Sequence, residues 1–292
     1  VTIPAARTVF GARFQNPVLL ASGTAGFGRE LAGVMDLERL GGLVTKAVSL
    51  EPRPGNVAPR VTEFPGGMLN SVGLANPGLA RVREQEIPWL AASLRRAQVL
   101  VNVVGFTEAE YAAVVAGLDD TEGFLGYELN LSCPNTAAGG IEFGADAAAA
   151  GRIVKACRAA TRRPLLAKLS PALPDIAAMA VVAQDAGADG VSVVNTMPGY
   201  LYRGNGPEPR LGNGNGGVSG PALLPIGLLA VRRVVERTRG ELPVVGVGGV
   251  RSAGEVRQYL AAGASLVAIG TAGLADPRLP ERIVDDLERA HG

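Results

Sequence analysis

The sequence predicts an α/β chain folded as a (β/α)8 barrel, a single domain over residues 1–292 with long loops over the carboxyl-terminal face. Three observations predict it. Short β-branched or leucine-rich runs recur about eight times, each followed by a polar or glycine turn and a longer segment with helical spacing. The runs are apolar on successive residues rather than alternating, as parallel strands covered on both faces require. No internal repeat or shift in composition marks a second domain. A doubly wound sheet is the alternative.

Taken in order, 17–21 (PVLLA) ends on Ser22 and Gly23, and 42–45 (GLVT) ends on Lys46. The third run, 99–104 (VLVNVV), carries Asn102; the fourth, 127–131 (YELNL), carries Asn130 and leads into Cys133 and Asn135. Next, 164–169 (PLLAKL) supplies Lys168 and Ser170, and 190–194 (GVSVV) is followed by Asn195 and Thr196. The last two, 243–247 (PVVGV) and 266–269 (LVAI), open onto Gly248-Gly249 and Gly270-Thr271. Helical spacing is read over 79–96, broken near Pro88 because proline lacks the amide donor, and over 108–117, 145–161, 175–186, 222–239, 253–262 and 280–290. Two connections, 49–77 and 198–220, are long. The second holds GNGPEPRLGNGNGGVSG and is expected either as a mobile lid or as a floppy surface excursion.

Lysine plus arginine total 28 against 27 aspartate plus glutamate, so nothing marks a nucleic-acid or membrane-surface binder. Two cysteines, one of them (Cys157) in a helical stretch, do not make a disulfide framework and fit a reducing cytoplasm. The opening residues show no basic segment leading into a long apolar one, and no run reaches the roughly 18 apolar residues of a membrane span, so a soluble, unprocessed chain is expected. Acidic residues are scattered without ligand spacing, so no metal is expected. His291 stands next to the last residue, which leaves no histidine for acid–base work.

In such a barrel the carboxyl ends of the strands face the reaction space. Asparagines gathered there offer donors and acceptors to a planar heterocycle or imide, although each alone also reads as a turn former. Bare backbone at Gly248, Gly249, Gly270 and Thr271 suits a cofactor phosphate, or simply tight turns. It is not a dinucleotide fingerprint, because Arg251 stands where the third glycine belongs. Lys46 and Lys168 read as cations facing developing negative charge or as Schiff-base amines. Cys133 lies in 129–135 (LNLSCPN), where the chain leaves a strand and a thiol can meet a substrate. Cys157 reads as a core residue.

Taken together these motifs resemble the class 1 dihydroorotate dehydrogenases, flavin barrels of pyrimidine biosynthesis. The resemblance rests on ASG at 21–23, VTKAVSLEPRPGN at 44–56, GMLNSVGLANPG at 67–78, LNLSCPN, AKLSP at 167–171, VNT at 194–196, GGVSGPA at 216–222, VGVGGV and IGTA. It implies oxidation of dihydroorotate to orotate with hydride transfer to FMN. Cysteine rather than serine at 133 favours class 1. VNVVG at 101–105, IPWL at 87–90 and NT at 195–196 look more like class 1B, a catalytic subunit paired with an iron–sulfur flavoprotein that holds FAD and a [2Fe–2S] cluster and reduces NAD⁺. A homodimer core within a heterotetramer is the implied assembly.

Carried onto this chain, the resemblance implies Cys133 as catalytic base, with Lys46 also catalytic. FMN would lie with its phosphate on Gly248, Gly249, Gly270 and Thr271. Its ring and ribityl chain would be held by Ser22, Gly23, Lys46, Asn102, Asn130, Lys168 and Gly220, with Lys168 near the N1/O2 edge. Dihydroorotate would be bound by Lys46, Asn70, Asn130, Asn135, Asn195 and Thr196, with main chain around Met68 and Gly73. Three rivals remain open: a class 1A-like, fumarate-using homodimer; a Schiff-base aldolase with Lys168 as nucleophile, which leaves Cys133 and the asparagines unexplained; and a non-catalytic binding subunit.

Overall fold

Alternation along a strand sends neighbouring side chains to opposite faces, and that rule builds this molecule. The computed structural model describes residues 6–131, 134–135, 141–142 and 146–289. A hairpin comes first, β1 (Arg7–Val9) against β2 (Ala12–Phe14), turning through Phe10 and Gly11, both at positive φ. Then follow β3 (Val18–Leu20), the short α1 (Arg29–Ala32), β4 (Gly42–Val44), and a second hairpin, β5 (Val61–Phe64) with β6 (Gly67–Asn70). α2 (Gly78–Arg81) runs through a π-helical stretch, Val82–Glu86, into α3 (Ile87–Ser93). The interruption expected near Pro88 is this widened turn: the Ile87 amide reaches back to Val82 O, which accommodates a ring that would clash with a regular helix.

The chain continues as β7 (Gln98–Val103), α4 (Glu108–Leu118), β8 (Gly126–Asn130), the short pair β9 (Pro134–Asn135) and β10 (Ile141–Glu142), α5 (Ala147–Ala160) and β11 (Leu165–Leu169). After these come α6 (Ile176–Asp185), β12 (Gly190–Val193), β13 (Met197–Tyr200), β14 (Asn215–Ser219), α7 (Leu224–Arg237), β15 (Val244–Val247), α8 (Ala253–Ala261), β16 (Leu266–Ile269), α9 (Thr271–Ala275) and α10 (Leu279–Arg289). Thr107, Asp146, Asp175 and Ser252 start four of these helices by accepting first-turn amides on their side chains. Among the described residues no helix is long and apolar enough to cross a membrane.

The eight runs read from the sequence are the barrel. β3, β4, β7, β8, β11, β12, β15 and β16 pair in parallel in that order and close from β16 back to β3. Val18 and Leu20 face the helices while Leu19 faces inward; Leu100 and Leu166 do the same between outward Val99 and Val101, and Leu165 and Ala167. The interior thus fills with Leu19, Leu100, Leu166, Val245 and Leu266, and Val9 and Phe14 of the first hairpin pack onto it. Arg7 reaching Ser265 O and Gln98 reaching Arg13 O fix that hairpin to the amino-terminal face.

The long connections are not loose excursions. β13 and β14, from 198–220 and its border, pair with β6 and β5 as a four-stranded antiparallel sheet in the order β13-β14-β6-β5. This corrects the expectation of a floppy segment. Glycines at 199, 216 and 217 serve close strand approach: a Cβ on Gly216 would lie 2.5 Å from Asn70 O. The sheet is tied to the barrel rim where Thr271 Oγ1, after β16, donates to Ser219 Oγ at 2.8 Å.

Candidate functional site

Two residues further along each inward row, the barrel interior turns polar. Asn102 follows Leu100 on β7, Lys168 follows Leu166 on β11, and β8 and β12 present Glu128 and Ser192 at the same level of the barrel. All four are buried. Glu128 Oε1 accepts from Asn102 Nδ2 at 2.7 Å and lies 3.6 Å from Lys168 Nζ, while Glu128 Oε2 accepts from Ser192 Oγ at 2.6 Å. Lys168 Nζ also donates to Ser22 Oγ at 3.0 Å, across the barrel from β11 to the end of β3. Asn102 Oδ1 is buried and has no partner among the described residues.

Above this layer sit the expected amides. Asn195 Nδ2 donates to Asn130 Oδ1 at 3.2 Å, and Asn195 Oδ1 accepts from the Thr196 amide at 2.8 Å. Tyr111, from α4, donates to Asn130 O at 2.6 Å and so fixes the end of β8. Thr196 packs on Gly217, where a Cβ would stand 2.0 Å from its Oγ1. Asn70 Nδ2 donates to Gly217 O at 3.2 Å. Met68 O accepts from Ser219 Oγ at 3.4 Å. Residues from β6, from the segment that follows β12 and from β14 therefore share one corner.

Lys46 is set by its backbone: its amide donates to Gly26 O at 2.7 Å, and its carbonyl accepts from the buried Thr45 hydroxyl, which also accepts from the Asn102 amide. Gly23 follows Ser22 at positive φ. Gly73 has a different setting. It lies against Asn56, where a Cβ would come within 2.5 Å, in a stretch held by Asn56 Nδ2 donating to Ser71 Oγ at 2.7 Å. Cys133 and the Asn135 side chain lie outside the described residues.

The glycine ends are shaped from beneath. Gly248 and Gly249 both have positive φ, and a Cβ on Gly249 would lie 2.6 Å from Leu224 N at the head of α7. Tyr259, buried on α8, donates to Gly248 O at 2.7 Å and to Val247 O at 3.1 Å. Because a trans peptide points its C=O and N–H in opposite directions, anchoring Gly248 O turns the Gly249 amide away from Tyr259. Gly220, at positive φ, packs onto Gly67, its would-be Cβ 2.8 Å from Gly67 Cα.

Glu128, Ser192, Ser219 and Tyr259 are functional-site neighbours that the sequence reading passed over. Glu128 did leave a signal, a carboxylate inside the apolar run YELNL, since an unpaired charge is rarely fully buried. Among the described residues no cluster of histidine, cysteine or acidic side chains is arranged to hold a metal.

A (β/α)8 barrel with a buried cation, clustered asparagines and glycine turns at its seventh and eighth strand ends has the features that suit a phosphate-bearing cofactor beside a small polar substrate. The chain belongs to the dihydroorotate dehydrogenase family, a family of FMN-dependent oxidoreductases, whose profile matches residues 5–290. It is 44% identical over 279 residues to the dihydroorotate dehydrogenase B (NAD(+)) catalytic subunit of Pelobacter propionicus, spanning 96% of this chain and 90% of that protein. The protein of the same name from Desulforudis audaxviator is 42% identical over 287 residues, 98% of this chain and 92% of that one. An Aquifex aeolicus protein named for dihydroorotate dehydrogenase A (fumarate) is 41% identical over 280 residues, with 96% and 91% covered.

Proposed function

We propose that this chain, as one barrel domain, is a catalytic subunit that oxidises dihydroorotate to orotate on bound FMN and passes the electrons to NAD⁺ through a partner subunit. The observation that carries the reading is the Asn195–Asn130 hydrogen bond. Asn130 stands three residues before Cys133 and Asn195 one before Thr196. The strand that delivers the thiol and the strand that delivers a substrate-binding pair therefore converge.

The residues present fit FMN. A buried acceptor without a donor costs about 1–3 kcal/mol, and Asn102 Oδ1 is such an acceptor; isoalloxazine and ribityl groups offer N–H and O–H donors. Gly248, Gly249, Gly270 and Thr271 would hold the phosphate, and Ser22, Gly23, Lys46, Asn102, Asn130, Lys168 and Gly220 the rest. When bound, FMN supplies the acceptor for the hydride that leaves C6 of dihydroorotate. Cys133, as thiolate, takes the C5 proton, so the C5–C6 bond becomes double. Lys46, Asn70, Asn130, Asn135, Asn195 and Thr196 bind the carboxylate and imide, assisted by main chain around Met68 and Gly73. Lys46 places positive charge beside the reacting centre.

On this reading the partner holds FAD and the [2Fe–2S] cluster, around a homodimer core in the cytoplasm; an iron–sulfur cluster takes about four thiolates, and this chain has two cysteines. The test is anaerobic. Dihydroorotate added to the purified FMN-loaded chain bleaches the visible flavin band, and NAD⁺ alone does not recolour it, whereas an artificial acceptor does. Absence of bleaching removes dihydroorotate as substrate; recolouring by NAD⁺ removes the partner, and recolouring by fumarate moves the chain to the A type.

A further inference from the structure

We infer that Glu128 is a positioning residue for the cofactor: its carboxylate fixes Asn102 and Lys168 so that a hydrogen-bond acceptor and a positive charge are presented together to the flavin. This rests on the FMN reading above.

Glu128 sits between Tyr127 and Leu129, which pack toward the helices, so its own side chain enters the barrel, where it is 2% exposed. Both carboxylate oxygens are used, Oε1 by Asn102 with Lys168 nearby, and Oε2 by Ser192. An ionised carboxylate only accepts, so it takes the NH2 end of the Asn102 amide and leaves Oδ1 as the free end. That free end is the buried atom without a partner among the described residues. A neutral amide in place of Glu128 could donate as well, and Asn102 would no longer be held to one orientation.

The charge argument is separate. Lys168 is a cation with its side chain 7% exposed, and a buried charge is stable only when paired. Among the described residues its ionic partner is Glu128, and Ser22 takes one further N–H. A bound flavin would therefore meet a nearly neutral pair whose positive end is Lys168. Removing the carboxylate leaves the ammonium uncompensated, and a net positive pocket favours the reduced flavin, which accumulates negative charge.

The experiment loads wild type, Glu128→Gln and Glu128→Asp with FMN and measures the dissociation constant by flavin fluorescence. The midpoint potential comes from dye-coupled reduction, and the thermal transition of each apoprotein is recorded. Glu128→Gln is expected to bind FMN about tenfold more weakly and, at saturating FMN, to show a more positive potential. Glu128→Asp keeps the charge and restores the wild-type potential. Normal FMN uptake with the Glu128→Gln potential and affinity unchanged overturns the inference alone. A wild-type protein that takes up no FMN overturns the functional reading and this inference with it. Should Glu128→Gln fail to fold, the charge-balanced double variant Glu128→Gln/Lys168→Met carries the test. It is expected to have a potential more negative than wild type, and an equal or higher one overturns the inference.

Discussion

The Tyr259 hydroxyl lies 2.7 Å from Gly248 O, beneath the turn that follows the seventh barrel strand. The ring fits because Gly227 and Gly246 make room: a Cβ on either would stand 2.0 Å and 2.4 Å from its atoms. Burial raises the phenol pKa, so the group stays a donor through neutral pH. Tyr259→Phe frees the turn, and losing one buried hydrogen bond is worth about 1 kcal/mol. We expect FMN affinity to fall by roughly tenfold, a factor equivalent to about 1.4 kcal/mol, while the far-ultraviolet circular dichroism of the apoprotein is unchanged. Fluorescence titration with FMN checks it.

Gly217, on β14 of the four-stranded antiparallel sheet, is the point at which Thr196 packs on that sheet, and any side chain there pushes Thr196 Oγ1 aside. Gly217→Ala is expected to raise the KM for dihydroorotate about tenfold, the order of one polar contact with a substrate. FMN affinity should not change. Steady-state kinetics beside a flavin titration separates the two effects, and equal losses in both would remove the assignment of this corner to substrate.

The two thiols should behave oppositely. Cys157 is fully buried on α5, and burial pushes its pKa up to about 12, so almost none of it is thiolate at pH 8. In native Cys133→Ala protein a maleimide should find no target until denaturant is added. The same variant should keep its FMN and lose most turnover, about 100-fold or more for a missing general base. A base with an ordinary thiol pKa, about 8.5, makes wild-type turnover rise with pH toward that value. Rapid labelling of the native variant would disprove the burial of Cys157, and near-normal turnover would remove Cys133 from the reaction.

Glu38 ties the start of β4 to the start of β7. Its Oε1 accepts from the Arg95 amide at 2.8 Å and the Ala97 amide at 3.3 Å, and its Oε2 from the Arg96 amide at 3.1 Å. Burial pushes the carboxyl up, but these amides and the Arg96 side chain outweigh it and hold the pKa below its ordinary value. A depressed folded-state pKa contributes stability that is complete above the unfolded value, about 4.3, and is lost as pH falls through the folded one. Glu38→Gln should therefore lose about 1–3 kcal/mol at pH 7, with the gap to wild type closing below about pH 4. Urea unfolding at several pH values reads this directly.

Strand and helix order were legible because they are local. Runs such as VLVNVV and PLLAKL must be buried on both faces, and only parallel strands under helices offer that. The first hairpin was not legible: RTV and ARF are too short to separate from loop, and what makes them strands is a barrel end to cover. The same holds for β13 and β14. Their glycines read as looseness along the chain, but they are the residues that let β6 and β14 approach, a property of two segments about 150 residues apart.

The sequence by itself determined the barrel, the polar set at its strand ends and the glycine turns, because spacing along a strand decides which face each residue takes. Only the tertiary structure decided which of those residues touch. That Glu128 spans Asn102 and Ser192, that Lys168 reaches Ser22, and that Tyr259 braces Gly248 all depend on closing the barrel, because the partners lie on different strands, helices and turns. Periodicity carries no information about contacts between such elements until the ring of strands fixes their order and register.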